Sequence, residues 1–151
     1  MKTYASLFLA IIVLGAEAVA AQTSASTYIY GNEIANLTAK TSSLNVSVVV
    51  TPRSVKTKDL LGDASARGQF PEILVVIKNL RITVNGSPIF VPRSTYADLI
   101  WVRHAEVSLI GRLPILTLSG GDGSESYLVR IEFDKATVRR RTDFSPALPN
   151  K

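Results

Sequence analysis

Few residues in this chain are of types that do chemistry. His104 is the only histidine and there is no cysteine, so thiol nucleophiles, iron–sulfur clusters and cysteine-held zinc drop out, and a zinc site would lack its usual ligands. A catalytic triad needs a histidine held by an acid beside a nucleophile. The segment WVRHAEV gives His104 the neighbours Arg103 and Glu106, with no G-x-S-x-G elbow, so His104 is expected at the surface or at a strand end. Paired carboxylates, which glycoside hydrolysis sets on either side of the scissile bond, occur as Asp122 with Glu125 and as Glu132 with Asp134. The second pair shares strand parity and is expected side by side on an outer face. Asp122-Gly123-Ser124-Glu125 is too short for a calcium loop of alternating acids and a distal glutamate. No catalytic residue, metal or cofactor is assigned.

Residues 118–127, LSGGDGSESY, place three glycines between two apolar runs. Gly120, Gly121 and Gly123 are expected to supply the positive-φ positions of a hairpin connection. A phosphate cradle is disfavoured, because the P-loop lysine and its following helix are missing. The other reading is a Gly/Ser/acid loop over 119–126 presented to a partner, with Asp122, Ser124 and Glu125 as contact residues. The S-G-x-x-Y loop of bacterial periplasmic lysozyme inhibitors is not met here, since after Ser119-Gly120 the tyrosine stands only at 127.

The elements that must position these residues are strands. Short runs rich in valine, isoleucine and aromatics alternate with period two and are broken by Gly, Pro, Asn and Asp. They fall near 27–31, 34–40, 44–51, 72–78, 80–84, 87–91, 105–111, 113–118, 126–133 and 137–142. The fold class is all-β, an antiparallel sandwich or partly closed barrel of about seven to nine strands. A type I′ turn at Asn85-Gly86 pairs Val84 with Ser87, Ile82 with Ile89 and Leu80 with Val91, leaving Arg81 and Phe90 on the opposite face. Residues 52–71, bracketed by prolines and basic, are read as a long loop with one helical turn near Lys58 to Leu61. RSTYADLIWV is expected to open with a short helix capped at Ser94 or Thr95 and to pass into a strand near Trp101. FSPALPNK reads as a tail.

The final hairpin carries Arg130, Arg139 and Arg141. Strand parity with Phe133 and Val138 inward would place all three on one outer face with Arg130 opposite Arg139 or Arg141, an unfavourable like-charge pair that an anion would relieve. Arg140 falls inward in that scheme. The chain carries a net charge of +5, which favours anionic partners such as head groups, cell-wall polymers or an acidic protein.

The amino terminus has Lys2, an apolar run from Leu7 to Leu14, and small residues at Ala18 and Ala20. This is the pattern of a secretory signal peptide over 1–21, cleaved after Ala20 or Ala21. No later segment approaches the length of a transmembrane helix, and export makes nucleic acid a poor partner. The remaining residues, 22–151, form one domain. The expectation is a periplasmic or secreted, non-catalytic binding or accessory module of the cell envelope, engaging an anionic envelope component or an acidic protein. Its rivals are a periplasmic inhibitor or partner-binding protein acting through 119–126 and an exported hydrolase.

Overall fold

The computed structural model describes residues 23–62, 70–110, 113–123 and 126–144. The segment at 1–21 expected to be a signal peptide, residues 63–69 of the expected 52–71 loop, residues 111–112, the loop residues Ser124 and Glu125 and the expected tail at 145–151 lie outside them. Alternating apolar and polar residues give each strand a dry face and a wet one. Among the described residues nine strands bury the dry faces as two stacked antiparallel sheets, a β-sandwich and not a closed barrel. One sheet has the order β1 (Ser24–Tyr28), β6 (Val102–Ile110), β7 (Leu113–Gly120), β8 (Tyr127–Phe133), β9 (Val138–Phe144). The other has the order β2 (Ala35–Lys40), β3 (Asn45–Lys56), β4 (Ile73–Val84), β5 (Ser87–Pro88). Val46, Val48 and Val50 from β3, Leu116 and Leu118 from β7, and Ile131 from β8 are all fully buried between the layers. Each contributes roughly 1.5–3 kcal/mol of burial free energy against the entropy of ordering the chain. Among the described residues no helix is long and apolar enough to cross a membrane.

The Asn85-Gly86 turn forms as read. Both residues are left-handed, with φ 52° and 80°, and Val84 pairs with Ser87 and Thr83 with Pro88. Asn85 also ties the turn to β3: its amide donates to the Asn45 carbonyl at 2.7 Å, and its Oδ1 accepts from the Asn45 amide at 2.8 Å. Beyond Ile89, whose amide still reaches the Ile82 carbonyl, the pairing of Leu80 with Val91 is not made. Phe90 instead bridges in parallel to Thr137 in the turn before β9, and it stays 69% exposed. Gly86→Ala forces a Cβ into the left-handed region and should cost about 1 kcal/mol. Urea unfolding checks this; an unchanged midpoint would contradict the turn.

One reading is corrected by a bulge. Residues 52–56 belong to β3 and not to the 52–71 loop: the register shifts between Thr51 and Pro52, so that Thr51 faces Asn79 while Pro52 faces Ile77. The extra residue is Lys78 of β4, and Pro52, which is buried, sits at this interruption of the ladder, where a strand can hold a proline. The helical turn is real but begins earlier, as α1 (Thr57–Leu61). Of the segment expected to open with a capped helix, only a 3-10 turn at Arg93–Thr95 forms, preceded by Pro92 and without a side-chain cap.

Candidate functional site

The carboxyl-terminal hairpin does not build the expected arginine face. Its turn spans 134–137 and pairs Phe133 with Val138, but the register then slips, so that Glu132 faces Arg140, Ile131 faces Arg141 and Arg130 faces Thr142. Arg139 is the extra residue of the bulge. The slip reverses the parity of everything beyond it, so Arg140 lies outward, and Arg141, opposite buried Ile131, turns to the inner side. No two arginines face each other across this pair of strands.

Arg141 is engaged as a strut. Its guanidinium grips Asp98 with two bonds of 2.6 and 2.7 Å, donates to the carbonyls of Ser94 and Thr95 at 3.2 Å each, and reaches Asp143 at 2.8 Å. The hydrogen bond from Arg141 holds the Asp98 carboxyl below its ordinary range. Arg139 is bonded to Asp134. Of the three arginines read as an anion site, two are therefore committed to acids, and Arg130 shares the outer face with Glu106 and Glu132.

Asp134 is committed as well. Its Oδ1 accepts from the amides of Ala136 at 2.8 Å and Thr137 at 3.0 Å, which with Arg139 lowers its pKa to about 2. Because the folded value lies below the usual 3.8, its stabilisation is present above pH about 4 and fades as pH falls toward about 2. Asp134→Asn should thus be less stable than wild type at neutral pH, with the gap closing in acid. Urea midpoints against pH measure it; a gap that does not narrow below pH about 4 contradicts this role.

A different group gathers where β1 ends, β6 begins and the glycine loop turns. In the cross-strand register Tyr28 faces His104, His104 faces Ser119 and Ser119 faces Leu128, a row on the outer face of the five-stranded sheet. Tyr30, two residues on, lies beside Tyr28 while Ile29 between them is buried. The two tyrosine rings are 6.1 Å apart and tilted by 31°. His104 meets Tyr28 edge-on at 5.2 Å. A bulge puts Arg103 between the paired residues Val102 and His104 and aims its guanidinium at the glycine loop, 3.4 Å from the Gly121 carbonyl and 4.0 Å from the Asp122 carboxylate. Tyr28, Arg103, His104, Ser119, Gly120 and Gly121 line a shallow hollow there.

The floor is fixed from below. Gly120 pairs with both Val102 and Tyr127, and a Cβ on it would sit 2.3 Å from the Trp101 carbonyl oxygen and 2.5 Å from the Tyr127 hydroxyl. Gly120 is therefore required by close approach and is not one of the positive-φ glycines, whereas Gly121 and Gly123, at φ 73° and 51°, are. Tyr127 donates to the Ile100 carbonyl at 2.9 Å, and its burial pushes the hydroxyl pKa up. The Gly121 amide donates to the Trp101 carbonyl at 3.0 Å. These bonds hold Trp101 at φ 55°, a conformation that costs a residue with a large side chain roughly 1–2 kcal/mol. Its indole packs against Phe70 at 6.1 Å.

Of the sequence-derived candidates, the structure brings His104 and Asp122 to this end. Arg130 lies further along the sheet, and Arg139 and Arg141 are at the edge strand. Tyr28, Tyr30 and Arg103 were missed as site residues, although Tyr-Ile-Tyr shows period-two alternation with two aromatics on the wet face. The imidazole lies against an aromatic ring, and among the described residues no carboxylate hydrogen-bonds to it. Comparison with models of protein families, with curated proteins and with solved structures finds no match.

Proposed function

We propose that this protein is an exported, non-catalytic binding module of the cell envelope, periplasmic or secreted, that holds an envelope component at the tyrosine and glycine-loop end of its five-stranded sheet. The observation that carries this is the pair Tyr28 and Tyr30, 65% and 64% exposed on one face beside a hollow of polar groups. Large aromatics left in water beside polar groups are the usual anchors of recognition sites. Export rests on the leader at 1–21. Attraction to an anionic envelope polymer or acidic protein rests on the net charge of +5 and acts at long range, since Arg139 and Arg141 are already paired.

The hydrolase reading, through Asp122, Glu125 or His104, has less support, because His104 lies against Tyr28 and Asp122 lies beside Arg103 with no second carboxylate among the described residues of the hollow. A protein-directed inhibitor acting through 119–126 would use the same end, with Asp122 72% exposed in its side chain. The test is co-sedimentation of the purified protein with isolated envelope material, compared with a Tyr28→Ala, Tyr30→Ala double variant. Wild type should sediment more strongly at low salt than at high salt, and the variant should lose most of the bound fraction at every salt concentration. Equal sedimentation of the two proteins contradicts the site.

A further inference from the structure

We infer that the hollow at the tyrosine end takes uncharged sugar units of a glycan chain, two neighbouring units lying across Tyr28 and Tyr30 while their hydroxyls bridge Arg103 and Asp122. This rests on the binding reading above and narrows it to a ligand class.

The first argument is the state of the ion pair. Arg141 with Asp98 and with Asp143 closes to 2.6 and 2.8 Å, and Arg139 is bonded directly to Asp134. Arg103 and Asp122 stop at 4.0 Å with side chains 56% and 72% exposed. Asp122 Oδ1 accepts from the Gly123 amide at 2.9 Å and Arg103 reaches the Gly121 carbonyl, so among the described residues the pair keeps Asp122 Oδ2 on one side and further guanidinium N–H groups on the other. An anion entering it meets the Asp122 carboxylate, and a cation meets the guanidinium. A neutral group with neighbouring hydroxyls suits both, since each hydroxyl accepts from Arg103 or donates to Asp122. The Ser119 hydroxyl and the His104 ring stand in the same row and offer further donors and acceptors.

The second argument is the pair of rings. Tyr28 and Tyr30 stand side by side at 6.1 Å, so they offer two consecutive apolar surfaces with polar tips to a chain of flat units. A sugar ring has this split character, with C–H groups on its faces and hydroxyls on its rim. The third argument is access. Gly120 and Gly121 form part of the wall and bring no side chain into the hollow.

The test uses the purified full-length exported protein in titration calorimetry with uncharged linear hexasaccharides of glucose, mannose, galactose and N-acetylglucosamine. A sulfated dextran and a decaproline peptide are titrated alongside. At least one uncharged hexasaccharide should bind, with a Kd that changes by less than about twofold between roughly 0.05 and 0.5 M salt. Tyr28→Ala with Tyr30→Ala should weaken it by about tenfold or more, and Arg103→Ala and Asp122→Ala should each weaken it several-fold, with circular dichroism and melting unchanged in every variant. Failure of all the uncharged sugars overturns the inference. If the sulfated dextran or the peptide binds instead and depends on the tyrosines, the uncharged-sugar class is wrong while the binding end stands. If a sugar binds equally well to the tyrosine variant, both are wrong.

Discussion

Replacing Gly120 by alanine should destabilise the protein by about 3 kcal/mol, the upper end of what overpacking a well-filled site costs. The added methyl would lie 2.3 Å from the Trp101 carbonyl and 2.5 to 2.8 Å from the hydroxyl and ring of Tyr127. None of these is the free end of a flexible side chain. Tyr127 is held by its bond to the Ile100 carbonyl, and the Trp101 carbonyl accepts from Gly121. Relief therefore requires breaking at least one buried hydrogen bond, each worth about 1 kcal/mol net, and it releases Trp101 from its left-handed backbone. Tyr127→Phe separates the parts: it removes the hydroxyl alone and should cost only about 1 kcal/mol. In Gly120→Ala, Trp101 fluorescence should also change in the folded state, because Trp101 is the only tryptophan. Urea unfolding followed by that fluorescence measures both effects, and a Gly120→Ala protein as stable as wild type would show that the floor of the hollow is not packed as described.

Arg141→Ala should cost about 2 kcal/mol, against less than about 0.5 kcal/mol for Arg139→Ala. The two arginines are two residues apart and both touch acids, yet their surroundings differ. The Arg139 side chain is 63% exposed and meets one carboxylate, the kind of surface pair that contributes little. The Arg141 side chain is 21% exposed and serves Asp98, Asp143 and two backbone carbonyls at once. Because Asp98 is 62% exposed, water screens the Coulomb part of that pair, and most of the loss is in the carbonyls left without a donor. Arg141→Lys should restore little, since an ammonium cannot reproduce the fork. Thermal melts of the three variants give the ranking; equal losses for Arg139→Ala and Arg141→Ala would remove the strut from the account.

What was legible in the sequence follows from its period. Val46, Val48 and Val50, or Val129, Ile131 and Phe133, announce strands with one buried face by alternation alone, and Asn85-Gly86 announces its turn because few other residues accept left-handed backbone. The sandwich follows from such runs in a chain of this length. The bulges at Lys78, opposite Pro52, and at Arg103 and Arg139 were not legible, because a slip of one residue is decided by packing against other strands and leaves no mark in the local pattern. That is why parity arguments placed Arg141 outward and left Pro52 in a loop. The site was hidden for a related reason. Tyr28 and His104 meet only through the register of β1 against β6, a pairing of distant segments that composition does not encode.

The central claim, that binding occurs at the tyrosine and glycine-loop end, is tested most directly by mapping amide chemical shifts of the labelled protein as solubilised envelope polymer is added. The amides of Tyr28 to Tyr30, Trp101 to His104 and Ser119 to Gly123 should move together and saturate on one curve. Saturable shifts confined to Asp134 to Asp143, or spread evenly over the outer faces of both sheets, would contradict it.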